Sequence, residues 1–242
     1  LTLPSPGPRR PSPQQARLRA ALAQVGLPPA SALPPASAGR AEEACIQPAR
    51  LVEHAELRAI DVGPPEPWPE VVAFLDGTQR SEIVAYAGAA PLVLAEARAA
   101  VLERRERRLH LAVLCERRML LGRREALAAT GAALGTLEAV PVDPDGPVHP
   151  VRDLVDIGQA LDEVRGALER EARAAYRDRS DAWLVVDGSL AESPVAAADL
   201  RTGAVSKSHA TLPFEGEALE RYLRLPHGHR SSLFEPASRR FA

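Results

Sequence analysis

Proline placement restricts where this chain can form regular secondary structure. Many of its 23 prolines crowd the first third of the sequence and the stretch 141–150. Proline lacks a backbone N–H and fixes φ, so it interrupts helices and central strands. We therefore expect residues 1–69 to form an N-terminal arm with short helices at 15–25 and 41–60, and residues 70–242 to form one folded core.

Composition indicates a soluble globular protein and excludes some classes of site. Hydrophobic residues make up 45% and charged residues 26% of the chain, and the net charge of −2 neither indicates nor excludes binding to nucleic acid. The two cysteines lie too far apart for a zinc site or a disulfide framework. No apolar run has the length of a membrane span. We expect two arginine-rich runs to be solvated helix faces: Arg104, Arg105, Arg107 and Arg108; Arg117, Arg118, Arg123 and Arg124.

The order of apolar runs after residue 70 predicts an α/β fold, in which helices cover a sheet. The runs that are short and rich in β-tolerant residues predict strands at 71–75, 81–93, 109–115, 182–186 and 205–212. Apolar residues at helical spacing predict helices at 94–107, 119–137, 151–177 and 215–223.

Two of the predicted strands end in similar motifs. FLDGT places Asp76 after one strand, and VVDGS places Asp187 after another. Two carboxylates brought to one edge of a sheet repel each other, and a divalent cation with oxygen ligands relieves that repulsion. A single Asp-Gly at a strand end is most simply interpreted as a turn. When two such motifs have matching flanks, a metal site and a pair of ordinary turns become comparable interpretations.

The flanks of these motifs resemble the NurA family of nucleases. FLDGTQRSEIVAYAGAAPLV is similar to the first family motif, and EREARAAYRDRSDAWLVVDGSL is similar to its acidic helix followed by a strand ending in DGSL. Downstream, GAVSKSH and HRSSLFEP resemble two further family segments. The resemblance extends over roughly residues 71–235 and is weak in its middle third.

This resemblance implies an RNase H-like mixed sheet and cleavage of DNA that depends on Mn²⁺ or Mg²⁺. It also implies a homodimer that works in DNA end resection and repair with a hexameric HerA-type ATPase, and hence a cytoplasmic, nucleoid-associated protein. By position, Asp76 and Asp187 match the metal-binding and catalytic aspartates, and Glu171 matches the helical glutamate of the same site.

The choice of Glu171 over Glu169 depends on helix faces. Glu171 shares a face with Val164, Leu168 and Ala175, which is apolar and is expected to pack on the sheet. Glu169 shares a face that contains both polar and apolar residues and is expected to contact solvent. We therefore predict Glu171 as the third ligand.

Other residues leave alternatives open. Lys207 and Arg230 are candidate DNA contacts. A lysine at a strand end is more often a solvated side chain, and for Arg230 a phosphate contact and a surface position are comparable interpretations. The family also uses a tyrosine and a histidine near its C-terminus, and this sequence ends at Ala242 without such a segment. The alternative to a nuclease is thus a non-catalytic NurA-like adaptor that dimerises and docks on an ATPase ring. A different RNase H-like enzyme is a third interpretation, which the DGSL context disfavours.

Overall fold

The computed structural model describes residues 13–27, 45–68, 70–187, 190, 194–205 and 211–235. Within these ranges the chain forms five α-helices: α1 Pro13–Gln24, α2 Arg124–Ala128, α3 Pro150–Arg177, α4 Pro194–Ala197 and α5 Gly216–Leu223. A 3₁₀ helix spans Gly131–Leu134. The strands in the same ranges are β1 Cys45–Ile46, β2 Arg50–Leu51, β3 Ala59–Asp61, β4 Val72–Ala87, β5 Ala90–Arg105, β6 Arg108–Gly122, β7 Glu138–Pro141, β8 Trp183–Asp187, β9 Thr202–Val205, β10 Thr211–Leu212, β11 His229–Ser231 and β12 Phe234–Glu235.

A mixed sheet dominates the described chain, with six strands in the order β7-β6-β5-β4-β8-β9. Strands β4, β5 and β6 follow one another through two-residue turns, which can join only antiparallel neighbours. The second turn uses Glu106 and Arg107, both with positive φ, as a tight hairpin requires. Strand β8 is parallel to β4, β9 is parallel to β8, and β7 is parallel to β6. The expected α/β class, a mixed sheet with flanking helices, is confirmed.

Two predicted helices are wrong, and a third is right only in part. Residues 94–105 lie in strand β5, although their Ala, Leu, Glu and Arg side chains favour helix. Strand β5 lies between β4 and β6, and most of its residues are buried, so sheet pairing and burial override the local preference. Within 41–60 the described residues form only short strands.

The range 119–137 begins as the end of strand β6 and then contains the short helix α2 and the 3₁₀ helix instead of one long helix.

Two compact units divide the chain. Unit 1 comprises Leu1–Ala38, Gly77–Ala100 and Val113–Tyr176, and unit 2 comprises Gly39–Asp76, Val101–Ala112 and Arg177–Ala242. The long strands β4, β5 and β6 each contribute residues to both units. Each unit therefore takes segments from both sides of residue 70, where the sequence analysis placed a domain boundary.

Unit 1 has a continuous apolar core to which helix α1 belongs. Leu22 of α1 is fully buried, and Leu18 is nearly so. They pack with residues of β4, β5, β6 and α2, among them Val84, Leu92 and Leu120. Helix α1 therefore buries its apolar side within its own chain.

Helix α3 is the longest element of unit 1 and is amphipathic. Its buried positions are Asp153, Ile157, Leu161, Leu168, Ala172 and Tyr176, spaced by four or seven residues as one helix face requires. The prediction of a helix at 151–177 is confirmed. No helix in the described ranges is long and apolar enough to cross a membrane.

Unit 2 combines strands β8 and β9 with three short two-stranded sheets, β1-β10, β3-β11 and β2-β12. Arg177 organises its centre. The guanidinium donates to Asp199 at 2.6 Å, to the Thr202 hydroxyl at 2.8 Å and to the Ala182 carbonyl at 2.8 Å. These bonds connect the last residue of α3 to the residue before β8 and to the start of β9.

Candidate metal centre

Strands β4 and β8 bring the two predicted aspartates side by side. The strands are parallel, with Val72 opposite Trp183 and Leu75 opposite Val186. The next residue along each strand is an aspartate, Asp76 in β4 and Asp187 in β8. Neighbouring strands lie about 4.8 Å apart, so the two aspartates occupy adjacent positions at one level of the sheet.

Both aspartate side chains project from the same face of the sheet. Leu75 is 3% exposed and Val186 is 9% exposed, which identifies the face that is packed against the core. Successive side chains of a strand alternate between faces, so Asp76 and Asp187 lie on the other side. Both residues are exposed. The sequence prediction that these two carboxylates come together is thus supported by the register and by the burial pattern.

The local backbone at Asp76 differs from the expected strand end. Strand β4 continues through Asp76 and Gly77 to Ala87, so LDGT is not a turn. Asp187, in contrast, is the last residue of its strand. Gly188 and Ser189 of the second motif lie outside the described residues.

Gly77 has a packing role in unit 1. A Cβ atom added at Gly77 would overlap the carboxylate of Glu169 on helix α3, with the Glu169 Cδ only 2.8 Å away. Arg165 holds that carboxylate at 2.7 Å and also donates to Gln79 at 3.0 Å. The absence of a side chain at Gly77 therefore lets an acidic residue of α3 rest against the backbone of β4.

Glu171 does not lie on the buried face that was predicted for it. Its side chain is 57% exposed and faces the Arg117 guanidinium at 3.8 Å. Burial raises the pKa of the neighbouring Cys115 thiol, and the charge of Glu171 and a hydrogen bond to it raise that pKa further.

The face of α3 that is buried differs from the face that the sequence predicts. Leu161, Leu168, Ala172 and Tyr176 are the buried positions of this part of α3, and this series excludes Glu171. The side chain of Glu169 is only 23% exposed. The spacing of Leu161, Leu168 and Tyr176 was the sequence signal that could have identified this face. Within the described ranges, no three His, Cys, Asp or Glu side chains form a group that could hold a metal ion.

Of the two predicted DNA contacts, the structure describes Arg230 only. Lys207 lies outside the described residues. Arg230, on β11, makes two hydrogen bonds to the Glu53 carboxylate at 2.7 and 2.8 Å. Those bonds lower the pKa of Glu53 to about 2. Arg230 thus stabilises the β3-β11 region of unit 2, and its contact with DNA stays a prediction.

The second arginine-rich run is not a solvated helix face. Arg117 and Arg118 lie on strand β6, Arg123 pairs with the buried Asp153, and Arg124 pairs with Asp143 at 3.0 Å. These side chains are therefore distributed among separate carboxylates.

Comparison with known proteins identifies no relative: no family model matches the sequence, and no curated protein matches it. The geometry of the Asp76–Asp187 pair therefore carries the functional interpretation.

Proposed function

We propose that this chain is a metal-dependent nuclease of the NurA type. It would hydrolyse phosphodiester bonds of DNA, as a single-strand endonuclease and 5′–3′ exonuclease, during end resection and repair. It would act as a homodimer with a hexameric HerA-type ATPase. The observation that carries this proposal is the pairing of Asp76 and Asp187, which lie in register on neighbouring parallel strands and project from one exposed face.

The strand order supports an RNase H-like core for this function. The resemblance implies such a core, which is a mixed sheet flanked by helices. In this chain β4, β5 and β6 form an antiparallel meander, α3 follows, and β8 and β9 extend the sheet beside β4. The two aspartates then belong to the first meander strand and its parallel neighbour.

The chemistry of the pair fits a hard divalent cation. Asp76 and Asp187 would hold Mn²⁺ or Mg²⁺ through carboxylate oxygens, the ligands that such ions prefer. When bound, the ion would supply stabilisation of negative charge on the phosphate that is attacked. The aspartates themselves concentrate negative charge at one exposed position, which selects a cation and leaves access for a polymeric substrate.

A cleavage assay on single- and double-stranded DNA with Mn²⁺, Mg²⁺ or EDTA tests the proposal. Asp76→Asn and Asp187→Asn should each abolish cleavage, because each removes one anionic ligand while it conserves side-chain size. Asp178→Asn, an exposed aspartate of the turn after α3, is the matched control and should cleave normally.

Manganese binding, followed by electron paramagnetic resonance, gives a second readout that does not depend on activity. Weaker binding in both variants supports the site. Cleavage that survives chelation or both substitutions would overturn the nuclease proposal. A chain that binds the ATPase ring without cleaving DNA would support the adaptor instead.

A further inference from the structure

Three arginines from three neighbouring strands of unit 1 converge on one carboxylate, Glu96 of β5. Arg80 on β4 donates its Nε to Glu96 at 2.9 Å. Arg98 on β5 contacts the other carboxylate oxygen, and Arg118 on β6 lies 3.7 Å from it. We call these three side chains the arginine row.

The carboxylate is buried and the guanidinium groups are not. The Glu96 side chain is 9% exposed, whereas Arg80, Arg98 and Arg118 are 71%, 45% and 45% exposed. Burial alone would raise the pKa of Glu96, but the hydrogen bond and charge of Arg80 and the charges of the other two arginines lower it. Glu96 is therefore an ionised anchor beneath three partly exposed cations.

Neutralising one carboxylate requires only one guanidinium. Arg98 also pairs with Glu116 at 3.3 Å, so the five groups carry three positive and two negative charges. A guanidinium has five N–H donors in a fixed plane, and a carboxylate on one edge leaves other donors for a second anion. Phosphate is the anion whose geometry this fork matches, and phosphates repeat along a nucleic-acid backbone.

We propose that the arginine row binds the phosphodiester backbone of a single nucleic-acid strand, and that it does so without metal. Glu96 accepts a hydrogen bond from Arg80 and attracts the guanidinium groups of Arg98 and Arg118 by charge, so that cations from three strands are gathered in one place. The proposal rests on the proposed function only for identifying that strand as a substrate.

The test measures binding of a short fluorescent single-stranded oligonucleotide in EDTA over a series of salt concentrations. The row variant is R80Q/R98Q/R118Q combined with E96Q, so that no buried carboxylate is left without a cation. The net charge changes by −2. The matched control is R152Q/R170Q, which makes the same change with two exposed arginines of helix α3 in the same unit.

Three lost phosphate contacts should reduce the slope of log affinity against log salt by about 2, at roughly 0.7 per contact for a single strand. If binding at about 1 M salt is unchanged, the affinity at about 0.1 M salt should fall by about 100-fold. The control should keep the wild-type slope. Because phosphates are recognised, DNA and RNA of one sequence should lose affinity alike.

An unchanged slope in the row variant, an equal loss in the control, or a loss confined to DNA or RNA would each overturn the proposal. A native circular dichroism spectrum is required of each variant, and R80Q alone, at the most exposed position of the row, should reduce the slope by about 0.7. The readout does not depend on cleavage. If the wild-type protein never cleaves DNA but the row variant loses binding, the nuclease proposal is rejected and the arginine row is retained. If the wild-type protein cleaves DNA but the row variant binds normally, the arginine row is rejected and the nuclease proposal is retained.

Discussion

At the scale of single residues, Asp153 is the clearest case of a charge that is buried with its partner. Its side chain is 1% exposed, and the Arg123 guanidinium donates to both carboxylate oxygens at 2.8 and 2.9 Å. These hydrogen bonds hold the pKa of Asp153 below its usual 3.8. Arg123 also donates to the carbonyls of Gly146 and Pro147, so the pair ties the start of α3 to the loop before it.

Asp153→Asn should lower the free energy of unfolding at pH 7 by about 3 kcal/mol, because a buried cation loses its counter-charge. A depressed pKa contributes stability that is present above pH 3.8 and is lost as pH falls through the folded-state value. The difference in stability between wild type and variant should therefore shrink below about pH 4. Urea unfolding from pH 7 to pH 3 measures this, and a difference that stays constant with pH would contradict the assignment. Asp156→Asn, on the same helix, is the control and should leave stability nearly unchanged.

Glu169 and Glu171 allow a second prediction at residue scale. Glu169 rests against Gly77, the residue that follows Asp76, whereas Glu171 is exposed and pairs with Arg117. Gly77 has the same orientation in β4 as the buried Leu75, because successive residues of a strand alternate between faces, so Asp76 points the other way. Glu169 is therefore not assigned to the site in place of Glu171. Glu169→Gln should lower the free energy of unfolding by up to about 1 kcal/mol, because it weakens the ion pair with Arg165, and Glu171→Gln should lower it less. Urea unfolding of the two variants measures this.

The two glutamine variants are matched in size and charge and lie two residues apart, so each serves as the control for the other. Gly77→Ala supplies an independent check, since the added methyl group must displace the Glu169 carboxylate. Equal losses of stability in the two glutamine variants would contradict this packing role of Glu169.

At the scale of elements, helix α1 is bound to its own unit by a small number of apolar contacts. Leu22→Ala should lower the free energy of unfolding by about 2–5 kcal/mol, because it removes a fully buried side chain from the core and leaves a cavity. Val25→Ala, at a position that is 45% exposed, should cost much less. Thermal unfolding of the two variants checks this. Equal, small losses would indicate that α1 detaches from unit 1 in solution.

Element type was predictable where local preference and tertiary environment agree. Helix α3 has a buried face with helical spacing and is flanked by loop residues, so its sequence predicts it almost to the residue. Strand β5 shows the converse: its residues favour a helix, but its neighbours β4 and β6 offer hydrogen bonds on both sides. A single sequence does not contain those distant pairings, which is why β5 was mistaken for a helix.

The candidate site was predictable to a similar extent. Asp76 and Asp187 could be identified as candidate ligands because each follows a short apolar run of sequence, which is a purely local pattern. Their register, and the exposure of both side chains on one face, follow from the pairing of β4 with β8. The orientation of α3 depends on which of its faces meets the sheet, and the two possible faces differ by less than half a turn. The buried position that the sequence predicted for Glu171 is therefore wrong. The arginine row could not be seen in the sequence, since its members lie on three strands.

At the scale of the whole molecule, the last prediction concerns stability with and without metal. An ion that binds the folded state alone stabilises it by about 2.7 kcal/mol at 100 times its dissociation constant. For a chain of this size, such a gain raises Tm by roughly 5–10 °C. Saturating Mn²⁺ should thus raise the Tm of wild type by that amount over its Tm in EDTA. The double variant D76N/D187N lacks both anionic ligands and should gain nothing from Mn²⁺.

The double variant D178N/D181N, which removes two other aspartates, is the control and should gain as much from Mn²⁺ as wild type does. An equal gain in D76N/D187N would mean that the ion binds elsewhere.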